Sequence, residues 1–167
     1  MKILIADDDR VSRRLIERML QQNGYEVVAV ENGRQAVEEL AKEDGPRLAL
    51  INWMMPELDG PGVCREIRAW NNKAYVYILL LTSKQLSGDI VEGLEAGADD
   101  YVTKPCHLAE LKARLHTGRR VLQLEDRLVK AREEMRFRAT HDSLTCLWDR
   151  GAILALLRSE LSRARRD

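Results

Sequence analysis

The sequence has few cysteines and few aromatic residues, with a single Phe. Its three cysteines, Cys64, Cys106 and Cys146, are odd in number and far apart in the 167-residue chain. No Cys-x-x-Cys pair occurs in the sequence. This usage does not favour a disulfide framework and is typical of free thiols in a reducing compartment, so we expect a cytoplasmic protein.

Long hydrophobic runs and a net charge are also missing. The apolar start at residues 1–6 is too short for a signal peptide, and no stretch approaches the length of a membrane span. The 27 basic and 27 acidic side chains balance. Residues 1–116 hold 15 basic and 19 acidic side chains, and residues 117–167 hold 12 and 8. This shift suggests two units of different character but is too small to indicate nucleic acid, so neither membrane nor nucleic acid is an expected partner.

Short apolar segments alternate with helical patterns along the first two thirds of the chain. Apolar runs without polar alternation are typical of strands buried on both faces of a parallel sheet. They lie at 2–6, 25–30, 48–51 and 75–81, with a shorter one around Tyr101. Helical spacing follows each run, at 11–20, 35–42, 60–70, up to Ala96 and from Leu108. The alternation predicts an α/β fold with a doubly wound five-stranded parallel sheet and right-handed crossovers.

Polar side chains follow the apolar runs at the positions where the strands should end. They are Asp7, Asp8 and Asp9, then Asn52, Thr82 and Lys104. The carboxyl ends of parallel strands share one edge of a sheet, and ligands bind at that edge. Adjacent carboxylates repel each other unless a cation or a proton intervenes, so Asp7 and Asp8 predict a metal site. Asp9 also suits a helix N-cap, which gives part of the triplet a purely structural explanation.

These motifs resemble the receiver domains of two-component response regulators. The resemblance rests on Asp7-Asp8, Met-Met-Pro-Glu-Leu-Asp-Gly at 54–60, Thr82-Ser83, Tyr101 and Lys104-Pro105, in that order. It covers about the first two thirds of the chain. It implies a flavodoxin-like strand order, a phosphorelay function, Mg²⁺ as cofactor and a sensor histidine kinase as phosphodonor.

The resemblance also implies a role for each site residue. Asp8 would bind Mg²⁺ directly, Asp7 more through water, and the Met54 carbonyl and position 52 would complete the protein ligands. Lys104 and Thr82 would contact the phosphoryl oxygens. Thr82 and Tyr101 would form the switch that reshapes the fourth helix and fifth strand. Without the motif, Thr82 would suit a strand-end hydroxyl and Tyr101 a core aromatic equally well. The Lys104-Pro105 bond would be cis.

One position departs from the family pattern: Asn52 stands where the family has its phosphate-accepting aspartate. A neutral amide cannot form an acyl phosphate, so we expect this chain to be neither phosphorylated there nor active as an enzyme. The loss of one negative charge should weaken Mg²⁺ binding and reduce repulsion among the carboxylates. Two explanations remain open: an engineered substitution that keeps the domain unphosphorylated, or a naturally degenerate receiver.

A heptad-like pattern follows the receiver-like part, which we place at 1–117. Val121, Leu128 and Met135 lie seven residues apart, with Leu124 and Ala131 at the complementary position. We expect the linker 118–139 to form a coiled coil that makes a homodimer. The alternative is a single amphipathic helix lying on its own domain, because two heptads are few. Gly118 predicts an interruption of the helix, at about 1 kcal/mol relative to alanine.

Residues 138–150 resemble the opening motif of diguanylate cyclase (GGDEF) domains, with Cys146 for the usual glycine and Asp149 for asparagine. We expect 140–167 to be the truncated start of such a domain, since no Gly-Gly-(Asp/Glu)-Glu-Phe segment occurs. The parent protein would then condense two GTP into cyclic di-GMP. One alternative is that His141 accepts a phosphoryl group. Another is a degenerate receiver that acts as a dimerisation module without phosphate control.

Overall fold

The computed structural model of the chain describes residues 1–71, 73–83 and 87–141, together with 147, 151, 153–154, 157–158 and 163. The chain divides into two compact units, Met1–Gln123 and Leu124–Asp167. Among the described residues, no helix combines the length and the apolar character needed to cross a membrane.

The first unit is built on a five-stranded sheet in which every pair of neighbouring strands is parallel. The strands are β1 (Lys2–Ala6), β2 (Glu26–Val30), β3 (Leu48–Asn52), β4 (Tyr77–Thr82) and β5 (Asp100–Thr103). Their order in the sheet is β2-β1-β3-β4-β5. The predicted doubly wound, flavodoxin-like fold is confirmed.

Helices connect and follow the strands of the sheet. They are α1 (Arg10–Gln21), α2 (Gly33–Ala41), α3 (Gly60–Arg68), α4 (Ser87–Glu95) and α5 (Leu108–Thr140). The side chains of Asp9, Asn32 and Asp59 cap the first three helices by accepting backbone N–H groups of the first turn. Each cap satisfies donors that a helix start leaves unpaired, and so fixes the residue at which the helix begins.

Two apolar clusters cover the two faces of the sheet. Leu4 and Ile51 belong to the cluster under α2 and α3, whereas Ile5 and Leu50 belong to the cluster under α1 and α5. Successive strand residues point to opposite faces, and here both faces are packed. This is why the strands show no alternation of apolar and polar residues in the sequence.

Helix α5 is continuous through Gly118, so the predicted interruption at that residue is wrong. Gly118 is buried. A Cβ atom there would lie 2.6 Å from Cδ1 of Tyr77 and 2.9 Å from Cδ1 of Leu48. The missing side chain therefore lets α5 approach the sheet closely. Packing continues past this point, because Leu122 is buried and Val121 packs partly against the same cluster.

Replacement of Gly118 by alanine is expected to destabilise the protein, although alanine is the better helix former. The added methyl group would push against the buried Tyr77 ring, and such overpacking costs about 1–3 kcal/mol. That cost exceeds the gain of about 1 kcal/mol in helix propensity. Urea unfolding followed by circular dichroism measures the difference. Thr117→Ala, at the exposed neighbouring position, is the matched control and should leave the midpoint unchanged or slightly higher.

The second unit begins within α5. Leu124, Leu128 and Met135 expose 60%, 64% and 70% of their surface. The Phe137 ring stacks on His141 with 4.1 Å between the ring centroids. The cyclase-like motif lies largely outside the described residues, since 142–146 and 148–150 are not described.

Candidate functional site

The site residues lie at the carboxyl ends of four strands. Asp7 follows β1, Asn52 ends β3, Thr82 ends β4 and Lys104 follows β5. The register places Asn52 opposite Leu81 and Thr82 opposite Thr103. The parallel pairing therefore brings these ends to one edge of the sheet, as the sequence predicts.

Asp7 is a fully buried carboxylate with several partners. Its Oδ2 accepts hydrogen bonds from Lys104 Nζ at 2.7 Å and from the Ser12 hydroxyl at 2.7 Å. Its Oδ1 accepts the backbone N–H of Asp9 at 3.1 Å. A buried charge is tolerated only when it is paired and hydrogen-bonded, and here an ammonium and two neutral donors meet that need.

Asn52 stands at the centre of the site. Lys104 Nζ donates to Asn52 Oδ1 at 3.0 Å, while Asn52 Nδ2 donates to Asp8 Oδ1 at 2.9 Å and to the Met54 carbonyl at 2.8 Å. The structure thus gathers Lys104, Asp7, Asp8 and Met54 around this one side chain. In the described part of the chain, no three carboxylate, imidazole or thiolate side chains lie close enough to hold a metal ion together.

Thr82 ends β4, and Tyr101 lies on β5, the strand that Lys104 follows. Thr82 is buried, and its carbonyl accepts the backbone N–H of Lys104 at 2.7 Å, which fixes the start of the segment carrying the lysine. The Lys104-Pro105 peptide bond is cis, as the resemblance implies. Tyr101 is half-buried and packs against the cluster that contains Trp53 and Leu80.

The third aspartate of the triplet belongs to the helix that follows. Asp9 accepts the backbone N–H groups of Val11 and Ser12, both at 3.1 Å. These bonds favour the charged carboxylate and hold the pKa of Asp9 below its usual value. The predicted N-cap is confirmed. It also places Ser12, three residues along the helix, within reach of Asp7.

Two side chains of α1, which no sequence motif marks, complete the surroundings of Asp7. Ser12 holds its carboxylate, and Arg13 donates through Nη1 to its carbonyl at 2.6 Å and through Nη2 to Glu31 at 2.6 Å. Arg13 is buried although it is charged. The only signal for either residue is the N-cap, because capping at Asp9 sets the first turn of α1 over the end of β1.

The loop after β3 folds back beneath Asn52. Gly60 N–H donates to the Trp53 carbonyl at 2.8 Å, and a Cβ at Gly60 would lie 2.8 Å from the Asn52 carbonyl oxygen. Glu57 has φ +67, a region that residues other than glycine rarely adopt, and accepts the side-chain amide of Asn32 at 2.8 Å. The glycine allows the tight return of the loop, which presents the Met54 carbonyl to Asn52.

Comparison with known proteins gives matches to the first unit. Residues 3–116 match the response regulator receiver domain family. The response regulator MprA of Mycobacterium ulcerans (strain Agy99) is 42% identical over 126 residues, which are 75% of this chain and 53% of that protein. The chain therefore spans about half the length of this curated relative.

Solved structures of other receiver and response-regulator proteins are also similar to this chain. The receiver domain of a sensor histidine kinase from Pseudomonas aeruginosa, solved with a magnesium ion coordinated in its active site cleft, is 38% identical with a TM-score of 0.64. It matches 70% of this chain and 95% of that one. A probable two-component system response regulator/GGDEF domain protein is 27% identical with a TM-score of 0.68, covering 74% of this chain and 50% of that one. With its site and its strand order, the chain belongs to the response regulator receiver family.

Proposed function

We propose that this receiver takes part in a two-component phosphorelay in which position 52 is the phosphoryl-acceptor position. The main support for the proposal is the position of Lys104, whose Nζ lies 2.7 Å from Asp7 Oδ2 and 3.0 Å from Asn52 Oδ1. A phosphoryl group brings negative oxygens to a site that is already acidic. An ammonium at the acceptor position offsets that charge.

The other site residues take roles that fit their positions. Lys104 holds one phosphoryl oxygen as a point charge, and Thr82, at the end of the neighbouring strand, donates a hydroxyl hydrogen bond to another. Thr82 and Tyr101 then form the switch, because Thr82 ends β4 and Tyr101 lies half-buried on the neighbouring β5. With asparagine at position 52, no carboxylate oxygen is present to attack phosphorus, so this chain is not itself phosphorylated there.

The donor set fits Mg²⁺, which prefers oxygen ligands. The Asp8 carboxylate and the Met54 carbonyl lie 2.9 Å and 2.8 Å from the same Asn52 nitrogen, so both oxygens face one point. Asp7, Asp8, position 52 and the Met54 carbonyl would hold the ion. When bound, the ion neutralises negative charge between acceptor and phosphoryl oxygens. With only two carboxylates and an amide, binding should be weak.

Receiver domains are phosphorylated by sensor histidine kinases, and such a kinase is the proposed phosphodonor. The exchange would take place in the cytoplasm. The free thiols of Cys64 and Cys106 suit that reducing compartment.

The proposed output runs through the linker, which we place at 118–139, to a cyclase domain that begins near residue 140. Leu124, Leu128 and Met135 are largely exposed on one helix at a spacing that suits a coiled coil with a second copy. The similarity to a response regulator/GGDEF domain protein and the motif at 138–150 support diguanylate cyclase as the parent activity. Phosphorylation at position 52 would change dimer packing and bring two cyclase domains together.

A second candidate function is a degenerate receiver that serves as a dimerisation module without phosphate control. The observation in its favour is that the acceptor is an amide whose oxygen and nitrogen are both hydrogen-bonded within the site. In this case dimerisation would depend on the linker alone.

Light scattering of this chain and its Asn52→Asp variant distinguishes the two functions. We expect Asn52→Asp to shift toward the dimer when a small phosphoryl donor and magnesium are added. The unsubstituted chain with Asn52, called the parent chain from here on, should not respond. A Leu128→Glu change in the variant should abolish the shift by placing a charge in the dimer seam. If Asn52→Asp becomes phosphorylated but its oligomeric state does not change, the chain acts as a dimerisation module without phosphate control.

A further inference from the structure

The orientation of the Asn52 amide is fixed by its neighbours. Lys104 carries three N–H donors and no acceptor, so the atom at 3.0 Å from its Nζ must be the amide oxygen. The amide nitrogen then faces the Asp8 carboxylate and the Met54 carbonyl, both of which only accept. A flipped amide would set donor against donor and oxygen against two oxygens, so only one orientation satisfies all three contacts.

Both N–H groups of the amide are therefore used on oxygens that would otherwise face a cation. From this geometry we infer that the side-chain NH₂ group of Asn52 takes the place of the divalent cation in this receiver. Its two partly positive hydrogens bridge Asp8 and Met54, and Lys104 completes the charge balance at Asp7. The inference rests on the proposed metal-binding role of Asp8 and Met54.

Two consequences separate this inference from a simple loss of charge. First, the acidic pocket keeps its arrangement without metal, so the stability of the folded chain should not depend on Mg²⁺. Second, an incoming ion has to displace the amide from both oxygens before it can bind. The amide thus competes with the metal for these oxygens. In addition, it lacks the negative charge that an aspartate would provide.

Substitution of Asn52 by alanine distinguishes competition between the amide and Mg²⁺ from the effect of charge. Alanine and asparagine are both neutral, so charge alone predicts no gain in Mg²⁺ affinity for Asn52→Ala, and the loss of the amide oxygen as a ligand predicts a lower affinity. Competition predicts tighter binding by Asn52→Ala, by about tenfold, because no hydrogen bond to the Asp8 carboxylate has to be broken. Asn52→Asp should bind most tightly of the three, since it adds both an oxygen ligand and a negative charge.

Thermal unfolding of the full chain, in EDTA and over a millimolar Mg²⁺ series, gives these affinities without any phosphoryl transfer. Ligands that bind only the folded state raise the midpoint, by roughly 5 °C at a concentration well above Kd. We expect the parent chain to show almost no rise. Asn52→Ala should unfold at a lower temperature than the parent in EDTA and recover with Mg²⁺, and Asn52→Asp should show the largest rise.

The matched control is Asn23→Ala. Asn23 is an exposed amide that donates to the Met19 carbonyl at 2.6 Å at the end of α1, so its loss should leave the Mg²⁺ response unchanged. Equal Kd values for the parent and Asn52→Ala would overturn the inference, as would weaker binding by Asn52→Ala. If Asn52→Asp responds to Mg²⁺ in either case, the proposed metal site survives and only the role of the amide is lost. No response from any variant would overturn both.

Discussion

Replacement of Asn52 by aspartate is expected to change a chain that accepts no phosphoryl group into one that accepts one per molecule. The carboxylate oxygen would attack phosphorus and form an O–P bond while the donor's leaving group departs with its electron pair. Lys104 already lies 3.0 Å from the side-chain oxygen at this position and can hold a phosphoryl oxygen. The intact mass of the protein, after incubation with a small phosphoryl donor and magnesium, measures the gain.

The controls for this experiment follow from the site. The parent chain should keep its mass under the same conditions, and Asn52→Asp combined with Lys104→Met should gain the group much more slowly. Hydroxylamine should remove the added group, as it does for an acyl phosphate. Phosphorylation of the parent chain, or a gain in Asn52→Asp that survives hydroxylamine, would contradict the assignment of position 52.

Arg68→Met is expected to be among the most destabilising changes outside the site. Arg68 donates through Nε to the Gly97 carbonyl, through Nη1 to the Val76 carbonyl and through Nη2 to Asp99, each at 2.8 Å. Its guanidinium also lies over the Tyr75 ring, 4.7 Å from the centroid. One side chain therefore ties the end of α3 to the starts of β4 and β5.

Loss of this arginine would leave the largely buried Asp99 without its cation. Asp99 also accepts the Ile78 backbone N–H at 2.7 Å and the Tyr75 hydroxyl. Burial, followed by the bond to Asp99, raises the pKa of Tyr75 to about 12, so its hydroxyl remains a donor at neutral pH. These neutral donors cannot replace the guanidinium charge.

We expect the free energy of unfolding to fall by about 3 kcal/mol, a large share of the roughly 5–15 kcal/mol typical of a domain. Urea unfolding followed by circular dichroism measures it. Arg65→Met is the matched control, because Arg65 lies on the same helix but is exposed, and it should change stability by less than about 0.5 kcal/mol. Equal effects of the two substitutions would show that the Arg68 contacts do not support the fold.

The strands and the edge where the site lies could be predicted because both depend on local pattern. Buried parallel strands are continuous apolar runs, and the strand that ends at Asn52 follows directly from Leu48 to Ile51. The apolar run predicts the start of β4 two residues early, at Tyr75, because Tyr75 and Val76 extend the run. In the structure Tyr75 lies before the strand and donates to Asp99, a contact between residues 24 positions apart.

Features that depend on close approach could not be predicted in the same way. The helical spacing of α1 is correct, yet Val11 and Leu15 are exposed while Arg13 is buried, because its guanidinium finds two oxygen partners. Gly118 costs helix propensity when the helix is considered alone, and the compensating contact with Tyr77 appears only when α5 packs on the sheet. The direction of the Asn52 amide likewise depends on three partners from separate parts of the chain.

The strand ends bring Asp7, Asn52 and Lys104 to one point. A double-mutant cycle with Lys104→Met and Asp7→Asn, followed by urea unfolding in EDTA, measures the coupling energy between two of these side chains. Lys104→Met alone leaves a buried carboxylate without its cation, whereas in the Asp7→Asn background it leaves a neutral amide, so we predict a coupling energy of about 1–3 kcal/mol. Effects that add to within about 0.5 kcal/mol would mean that the two side chains do not meet and that the site does not form at this edge of the sheet.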